Sequence, residues 1–254
     1  MLEIKNASIN YGMGEIVQNI SFQVEPGEKL VLLGRNGVGK TTTLKGMIGL
    51  LPMAKGDILL DGKNITKLPE YKRAEDIGRV FQDPLKGTAF DMSIEENLAI
   101  AYYKNRSRGL QPGLTGKDRQ LFRERLAMLD MGLEDKMTQK VKLLSGGQRQ
   151  ALTLFMAVIA EPKLLLLDEH TAALDPAAAA TVLALTNRFA SRSGMCTLMI
   201  THNMKDALTY GNRTILMKSG RILMDISGAE REAMTVETLI EKFSIDSDRM
   251  LLKD

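Results

Sequence analysis

A glycine-rich segment, Gly34–Thr41, has the residue types and spacing needed to bind phosphate. It matches the pattern G-x-x-x-x-G-K-[ST] and lies between a short apolar run, Lys29–Leu33, and a stretch of helical composition, Thr41–Leu50. The glycines let the backbone curl so that successive N–H groups point at phosphate oxygens, and the positive end of the helix adds to the same place. Lys40 would reach the β- and γ-phosphates, and Thr41 would offer its hydroxyl to Mg²⁺.

The alternative interpretation of this segment is a glycine-rich turn with an incidental lysine. Its position between a strand and a helix favours nucleotide binding. The candidate nucleotide-binding residues of this loop are Gly34, Arg35, Asn36, Gly37, Val38, Gly39, Lys40, Thr41 and Thr42.

Two adjacent carboxylates follow a second apolar run, Leu164–Leu167. Asp168 and Glu169 would leave a buried parallel strand at the edge of the sheet where α/β proteins bind their ligands. Side chains alternate along a strand, so the two carboxylates need not share a role. We expect Asp168 to hold Mg²⁺, commonly through water, and Glu169 to polarise the attacking water. The alternative is a solvated strand end.

A second helix start suited to an anion lies at Leu144–Gln148. Its serine and glutamine form a capping box, and the two glycines between them leave backbone N–H groups approachable for phosphate. An ordinary helix cap is the alternative. The candidate nucleotide-binding residues here are Ser145, Gly146, Gly147 and Gln148.

The elements that must position these residues alternate between strand and helix over most of the chain. Further strands are predicted at Ile20–Val24, at Ile58–Leu60 ahead of a turn, at Met195–Ile200, and on both sides of Ser219–Gly220. This alternation predicts an α/β fold with a mainly parallel sheet.

The middle of the chain has a different pattern, because helical signals dominate from Ser93 to about Ala160. A capping box, Ser93–Glu96, opens this region, and the apolar stretch Ala151–Ala160 has the character of a buried core helix. Between Lys104 and Arg125 lie seven basic residues, interrupted by glycines and a proline, and there we expect a loop.

The composition is that of a soluble globular protein. The 254 residues include 34 Lys and Arg against 31 Asp and Glu, a charge of +3, with 44% hydrophobic residues, which excludes disorder and fibrous repeats. The single cysteine, Cys196, excludes an internal disulfide and fits a core position. We find neither a run of roughly 18 to 20 apolar residues nor a signal-peptide pattern, so we expect a cytoplasmic protein.

In their order along the chain, these motifs resemble the ATP-binding subunit of ABC transporters. The loop Gly34–Thr41 corresponds to Walker A, Leu144–Gln148 to the LSGGQ signature, and Leu164–Asp168 to Walker B. The resemblance implies a P-loop (RecA-like) α/β core with an antiparallel β subdomain and an inserted helical subdomain. It implies a single ABC ATPase domain over residues 1–254, with its core at 1–83 and 161–254 and its helical subdomain at 84–160.

The same resemblance implies roles for four further residues. Tyr11 would stack on adenine, although an isolated tyrosine near a strand more often serves packing. Gln82 would contact Mg²⁺ and the attacking water, making it a metal ligand and part of the catalytic set. His202 would reach the γ-phosphate as a third catalytic residue beside Glu169. Asp175 would contact the opposite subunit, and it also suits an N-cap ahead of a proline.

The resemblance narrows to the ATPases of tryptophan/tyrosine or other uncharacterised amino-acid uptake systems. It rests on Arg79–Pro84, Leu144–Ala151 and Asp168–Pro176. It implies an ATPase that binds ATP and Mg²⁺ as a homodimer and drives integral-membrane permease subunits, with a solute-binding lipoprotein as an indirect partner. The protein would then be peripheral on the inner face of the membrane. His170 receives no catalytic role, and the sequence leaves the solute open.

Two other classes of ABC-type ATPase fit this sequence less well. Those acting on ribosomes usually carry two cassettes in one chain, and this length holds one. Those of the SMC kind are split by long coiled coils, and no sustained heptads are present. The basic stretch Lys104–Arg125 lacks interleaved aromatic residues, with Phe122 alone among its later charges, so we expect no nucleic-acid partner.

Overall fold

The computed structural model describes residues 1–12, 14–83, 85–106, 112–192 and 194–242. Its strands are β1 Leu2–Tyr11, β2 Gly14–Val24, β3 Lys29–Leu33, β4 Lys55–Leu60, β5 Lys63–Asn64, β6 Ile77–Val80, β7 Leu164–Asp168, β8 Cys196–Thr201, β9 Arg213–Lys218 and β10 Arg221–Ser227. Its helices are α1 Lys40–Met47, α2 Glu70–Arg73, α3 Ile94–Tyr103, α4 Gly116–Ala127, α5 Gly146–Val158, α6 Pro176–Arg192, α7 Met204–Tyr210 and α8 Gly228–Glu232. A short 3-10 helix, Val141–Leu143, precedes α5, and residues 236–242 are helical. Within these ranges, no helix is both long and apolar enough to cross a bilayer.

A six-stranded sheet, ordered β10-β9-β3-β8-β7-β6, carries most of the elements that the motifs follow. β3 pairs in parallel with β8 and β9, β7 pairs in parallel with β8 and β6, and β9 and β10 pair antiparallel. Alternate side chains of β7 enter different cores: Leu164 and Leu166 pack on one face of the sheet, Leu165 and Leu167 on the other. Burial on both faces explains why the strand is apolar throughout. The predicted α/β fold with a mainly parallel sheet is confirmed.

The register of the parallel strands brings their carboxyl ends to one edge of the sheet. Leu33 of β3 lies opposite Thr201 of β8, and Asp168 of β7 lies opposite Ile200. The segments that follow β3, β6, β7 and β8 therefore leave the sheet side by side, which is the edge where α/β folds bind ligands.

A second sheet, ordered β2-β1-β4-β5, is antiparallel and packs against the first. Its apolar residues Ile20, Phe22 and Val24 are buried and alternate with exposed residues, as the sequence predicts. β4 and β5 form the predicted hairpin, in which Asp61 and Gly62 both have positive φ values of 49° and 75°. This sheet is the expected antiparallel β subdomain.

The helical middle begins as the sequence predicts. Ser93 caps α3 in a capping box with Glu96. Most of the apolar stretch Ala151–Ala160 belongs to α5 and is buried there. The helices meet in one core around Leu98, Phe122 and Leu154. The division at residues 84 and 160 into core and helical subdomain stays a prediction.

The prediction of a loop over Lys104–Arg125 is wrong for its second half, which forms α4. Thr115 and Asp118 make a capping box at its start, and the buried Asp118, Phe122 and Leu126 recur every four residues along one helix face. Gly116 is tolerated because it is the first helical residue rather than an interior one. Residues 107–111, which include Arg108 and Gly109, lie outside the described residues.

Arg73, the last residue of α2, joins that helix to the end of α1. Its guanidinium is buried and donates hydrogen bonds to the carbonyls of Gly46 and Met47, at the end of α1, and to those of Thr66 and Leu68. Burial lowers the pKa of this guanidinium. A cation against the last carbonyls of a helix also interacts favourably with the helix dipole, so Arg73 fixes the far end of the helix that starts at the phosphate loop.

We expect Arg73→Met to lower the free energy of unfolding by about 3 kcal/mol, because it leaves buried carbonyls without their charged donor. Urea unfolding of the full chain measures the loss. Lys72→Met is the matched control, since Lys72 is the preceding residue of α2, is exposed and pairs with Glu75. Equal unfolding midpoints for Arg73→Met and the control would contradict this role.

Candidate active site

The phosphate loop, defined as Gly34–Thr41, runs from the end of β3 into α1. Geometry requires glycine at Gly34 and at Gly39, and Gly37 also has a positive φ, of 83°. At Gly34 a Cβ would lie 2.7 Å from the carbonyl oxygen of Met217, and Gly39 has φ 107°. Both positions exclude other residues, so the loop keeps the tight path that turns its N–H groups inward.

The start of α1 is suited to binding an anion. Gly39 is its N-cap and supplies no side-chain acceptor, and the helical hydrogen bonds begin with the N–H of Thr43 to the carbonyl of Gly39. The N–H groups of the preceding residues are therefore left for a ligand. Lys40 is buried, and its ammonium donates to the carbonyls of Gly34 at 2.6 Å and Arg35 at 3.0 Å. Burial lowers the pKa of Lys40, and the carboxylates of Glu169 and Asp168 oppose that shift.

A cavity of about 410 Å³ brings the loop together with two residues from distant parts of the chain. Its lining residues are Ile16, Asn36, Gly37, Gly39, Lys40, Thr41, Thr42, Gln82 and Glu169. Gly34 and Arg35 line a neighbouring cavity with His202, and the partly buried Val38 packs against the core. The loop, Gln82 and Glu169 are thus assembled as the sequence predicts. Tyr11 ends β1, and its side chain lies outside the described part of the structure.

Ile16 is a lining residue that the sequence analysis missed. It lies on β2 and is only partly buried. One apolar residue in a strand is indistinguishable from an ordinary core residue, so no sequence signal would have found it. Its place beside the phosphate loop supplies an apolar surface at the rim of the cavity.

The acidic pair occupies the end of β7. Asp168 is buried, and burial raises the pKa of its carboxyl group, while the guanidinium of Arg79, with Nη2 3.9 Å from Oδ2, opposes that rise. Glu169 has φ 44°, and its N–H donates to the carbonyl of Ile200 at 3.0 Å. The two carboxylates thus separate, with Asp168 buried and Glu169 facing the cavity.

The carboxylate of Glu169 is held between the two other predicted catalytic residues. Nδ1 of His202 lies 3.1 Å from Oε1, and Nε2 of Gln82 donates to Oε2 at 3.3 Å. Gln82 follows β6 and His202 follows β8, so three neighbouring strand ends supply the three side chains. A carboxylate fixed on both oxygens beside a phosphate site can orient a water and accept its proton.

The oxygen donors suit Mg²⁺. Thr41 and Gln82 line the same cavity, and the buried Asp168 precedes Glu169, which lines it too. Within the described ranges, no group of three or more His, Cys, Asp or Glu could hold a metal ion by itself. Mg²⁺ usually takes one or two protein oxygens and completes its shell with phosphates and water, which agrees with this sparse donor set.

The second anion site lies elsewhere. Ser145 caps α5 in the predicted capping box with Gln148, and both Ser145 and Gly146 are exposed. Gly147 is buried, and a Cβ there would lie 2.9 Å from Cβ of Ala178 in α6. Among the described residues that line the cavity of the phosphate loop, none comes from this segment. The structure therefore does not bring the two predicted anion sites together within one copy of the chain.

Asp175, Cys196 and His170 lie outside the cavity of the phosphate loop. Asp175 caps α6, with Oδ1 accepting from the N–H groups of Ala177 and Ala178. Cys196 is buried in β8. His170 is buried, its Nε2 lies 3.1 Å from Oγ1 of Thr186, and burial lowers its pKa to about 4.

Comparison with known proteins gives one consistent result. Residues 17–172 match the family model described as ABC transporter. The chain is 43% identical over 248 residues to a tyrosine transport ATP-binding protein of Clostridioides difficile (strain R20291), covering 96% of this chain and 98% of that protein. It is similar in structure to cbiO1 of Clostridium perfringens, part of the ABC transporter complex cbiONQ, with a TM-score of 0.77, 28% identity and coverage of 100% and 98%. A dimeric ATP-binding cassette bound to ADP and Pi is similar with a TM-score of 0.74, 25% identity and coverage of 89% and 98%.

The buried His170 predicts a pH-dependent stability. Its folded pKa of about 4 is below the ordinary value of 6.5, so between these values the unfolded chain binds a proton that the folded chain does not. Stability therefore falls as the pH falls from 6.5 towards 4. From this residue alone, the free energy of unfolding should drop by roughly 1 kcal/mol between pH 7.5 and pH 5.5.

Urea unfolding of wild type and His170→Gln at the two pH values measures this contribution. We expect the variant to lose about 1 kcal/mol of the pH-dependent difference. His202→Gln is the matched control, because His202 is the other histidine of the chain and its side chain is 53% exposed. An unchanged pH difference in His170→Gln would contradict the burial of a neutral histidine.

Proposed function

The chain belongs to the ABC transporter family and is its ATP-hydrolysing subunit, and from that premise we propose that two copies close around two Mg²⁺–ATP molecules to drive a membrane permease. The observation that carries the proposal is the carboxylate of Glu169, held between Gln82 and His202 in the cavity of the phosphate loop. This is the arrangement needed to attack a terminal phosphate with water.

In the proposed hydrolysis, the phosphate loop binds the β- and γ-phosphates through its N–H groups and through Lys40. Glu169 orients the attacking water and takes its proton on the carboxylate. His202, exposed at the end of β8, contacts the γ-phosphate and keeps Glu169 in place. Mg²⁺, held by Thr41, Gln82 and Asp168, would neutralise charge on the phosphate oxygens.

The position of the second predicted anion site supports the proposed dimer. Ser145 and Gly146 are exposed at the start of α5 and do not line the cavity of their own chain. A symmetric head-to-tail pair lets each copy present this helix start, Ser145–Gln148, to the phosphates held by the other, which gives two equivalent sites. The similar cassette that is dimeric with ADP and Pi bound supports this arrangement.

An exposed apolar surface supports a permease partner. Tyr71 on α2, Leu85 after Gln82 and Ile100 on α3 are 69%, 48% and 56% exposed. Lys104 at the end of α3 donates to the carbonyl of Ala74 at the end of α2, so these two helices adjoin. Exposed apolar residues on neighbouring elements are typical of a protein interaction site, and Leu85 lies three residues after Gln82, which lines the cavity of the phosphate loop.

The transported solute is proposed from the relative rather than from the site. The tyrosine transport ATP-binding protein covers nearly the whole chain, so we propose import of an amino acid or a similar small solute. The partners would be integral-membrane permease subunits and, indirectly, a solute-binding lipoprotein, with no nucleic acid. The protein would lie on the cytoplasmic face of the cell membrane, held there by the permease.

We expect Glu169→Gln to slow ATP hydrolysis by about 100-fold or more while ATP still binds, because the amide cannot accept the proton of the water. The same variant should form an ATP-dependent dimer, detected by gel filtration. Glu161→Gln is the matched control: Glu161 precedes β7, shares the left-handed backbone with φ 55° and is exposed. Turnover of Glu169→Gln within a few-fold of the control would remove Glu169 from the proposed role.

Mixing two inactive variants tests the head-to-tail dimer. Lys40→Ala removes the charge of the phosphate loop, and Gly146→Asp puts a carboxylate at the exposed helix start. Gly146 is preferred to Gly147 because a Cβ at Gly146 meets its nearest neighbour at 3.6 Å, an ordinary contact. In a one-to-one mixture half the dimers carry one intact site, so activity should reach about a quarter of wild type if the sites act independently.

If the two sites are strictly coupled, the mixture stays inactive even in a head-to-tail dimer, and a crosslink then tests the dimer directly. Ser145→Cys should form a disulfide with Asn36→Cys of the opposite copy when ATP is bound, since both residues are exposed. The buried Cys196 does not interfere. Absence of both the restored activity and the intermolecular crosslink would rule out the proposed dimer.

A further inference from the structure

His170 is a buried residue that the proposed hydrolysis does not use. It directly follows Glu169, the proposed acceptor of the water proton. It is 3% exposed. Glu169 before it has φ 44°, the left-handed region that side chains with a Cβ disfavour. Such a backbone persists only where neighbouring contacts over-determine it, and at an active site the strain is commonly part of the mechanism.

Three hydrogen bonds hold the chain at this point. The N–H of Glu169 donates to the carbonyl of Ile200 at 3.0 Å, and the carbonyl of Glu169 accepts from the N–H of Ala172 at 3.0 Å. The third lies between Nε2 of His170 and Oγ1 of Thr186, at 3.1 Å. The bond to Ile200 attaches the turn to β8, and the bond from Ala172 closes the turn within its own segment. Of these three bonds, only the one to Thr186 joins the turn to α6.

The direction of the third bond follows from the hydroxyl. Thr186 donates its hydrogen to the carbonyl of Val182 at 2.9 Å, and a hydroxyl has one hydrogen to give. Thr186 therefore accepts from His170, whose Nε2 carries the proton. Both partners are buried, so the bond is shielded from competing water and fixes the plane of the imidazole against α6.

We propose that His170 is a positioning residue for Glu169: its hydrogen bond to Thr186 ties the turn after β7 to α6 and thereby holds the Glu169 carboxylate between Gln82 and His202. The inference rests on the proposed role of Glu169 in activating water. Its mechanical basis is that the Glu169 side chain shares one peptide unit with the anchored residue, so a loosened anchor changes the direction of the carboxylate.

Four variants of the full chain test the hydrogen bond rather than the packing. Thr186→Val is isosteric and removes the acceptor, and His170→Phe fills the same volume without the donor. His170→Gln keeps an amide N–H close to the position of Nε2. Thr181→Val is the control, because Thr181 lies on the same helix and donates to the carbonyl of Ala177 in the same way, at an exposed position.

We expect kcat for ATP hydrolysis to fall about five- to tenfold in Thr186→Val and in His170→Phe, the size of one neutral hydrogen bond, with KM for ATP within about twofold of wild type. His170→Gln should retain kcat within about threefold, and Thr181→Val should equal wild type. The double variant His170→Phe/Thr186→Val should be no slower than either single variant, because both remove the same bond.

A comparison in the Glu169→Gln background tests whether the hydrogen bond between His170 and Thr186 acts through Glu169. If the anchor acts through Glu169, adding Thr186→Val to Glu169→Gln causes no further loss, whereas a general structural defect would add its own loss. Wild-type kcat in Thr186→Val, or an additive loss in the Glu169→Gln background, overturns the inference. A normal rate in Glu169→Gln itself is a separate failure, that of the proposed function. Urea unfolding accompanies each variant, and if His170→Phe does not fold, Thr186→Val and His170→Gln decide the outcome.

Discussion

The pairing of β7 between β6 and β8 is the constraint on which the site depends. The strand is buried on both faces and paired on both edges, and Asp168 at its end is held in register opposite Ile200 of β8. The ladder continues one residue further, because the N–H of Glu169 still donates to Ile200 although the chain has already turned to φ 44°. The sheet therefore sets where the backbone of Glu169, the proposed catalytic residue, leaves β7.

Charge is balanced around the acidic pair from two directions. Lys40 approaches from the phosphate loop, and Arg79 approaches from β6, with its guanidinium 4.2 Å from the ring centre of Phe81. Phe81 precedes Gln82, so the same arginine contacts both the buried Asp168 and the residue before the predicted catalytic glutamine.

The sequence predicted those features in which a residue type is required by the local backbone geometry or by burial alone. The glycines of the phosphate loop, the caps at Ser93 and Ser145, and the apolar strands all appear where expected, since propensity and burial agree there. Its errors lie where several weak signals compete: the glycines and charges before α4 concealed the cap at Thr115. Contacts such as Arg73 with the end of α1, or His170 with Thr186, join residues that no local pattern relates, and only the folded chain shows them.

The ammonium of Lys40 is hydrogen-bonded to carbonyls of the loop that surrounds it, at Gly34 and Arg35. The loop thus encloses its own cation, much as a crown ether encloses a metal ion. A phosphate oxygen that binds this ammonium forms a charge-assisted hydrogen bond, but the loop carbonyls then lose their donor. The net free energy of binding is therefore the difference between the two sets of hydrogen bonds. Because the Lys40 ammonium can return to these carbonyl oxygens, dissociation of the nucleotide does not leave it without hydrogen-bond acceptors. Release of the product is therefore not opposed by an unpaired buried charge.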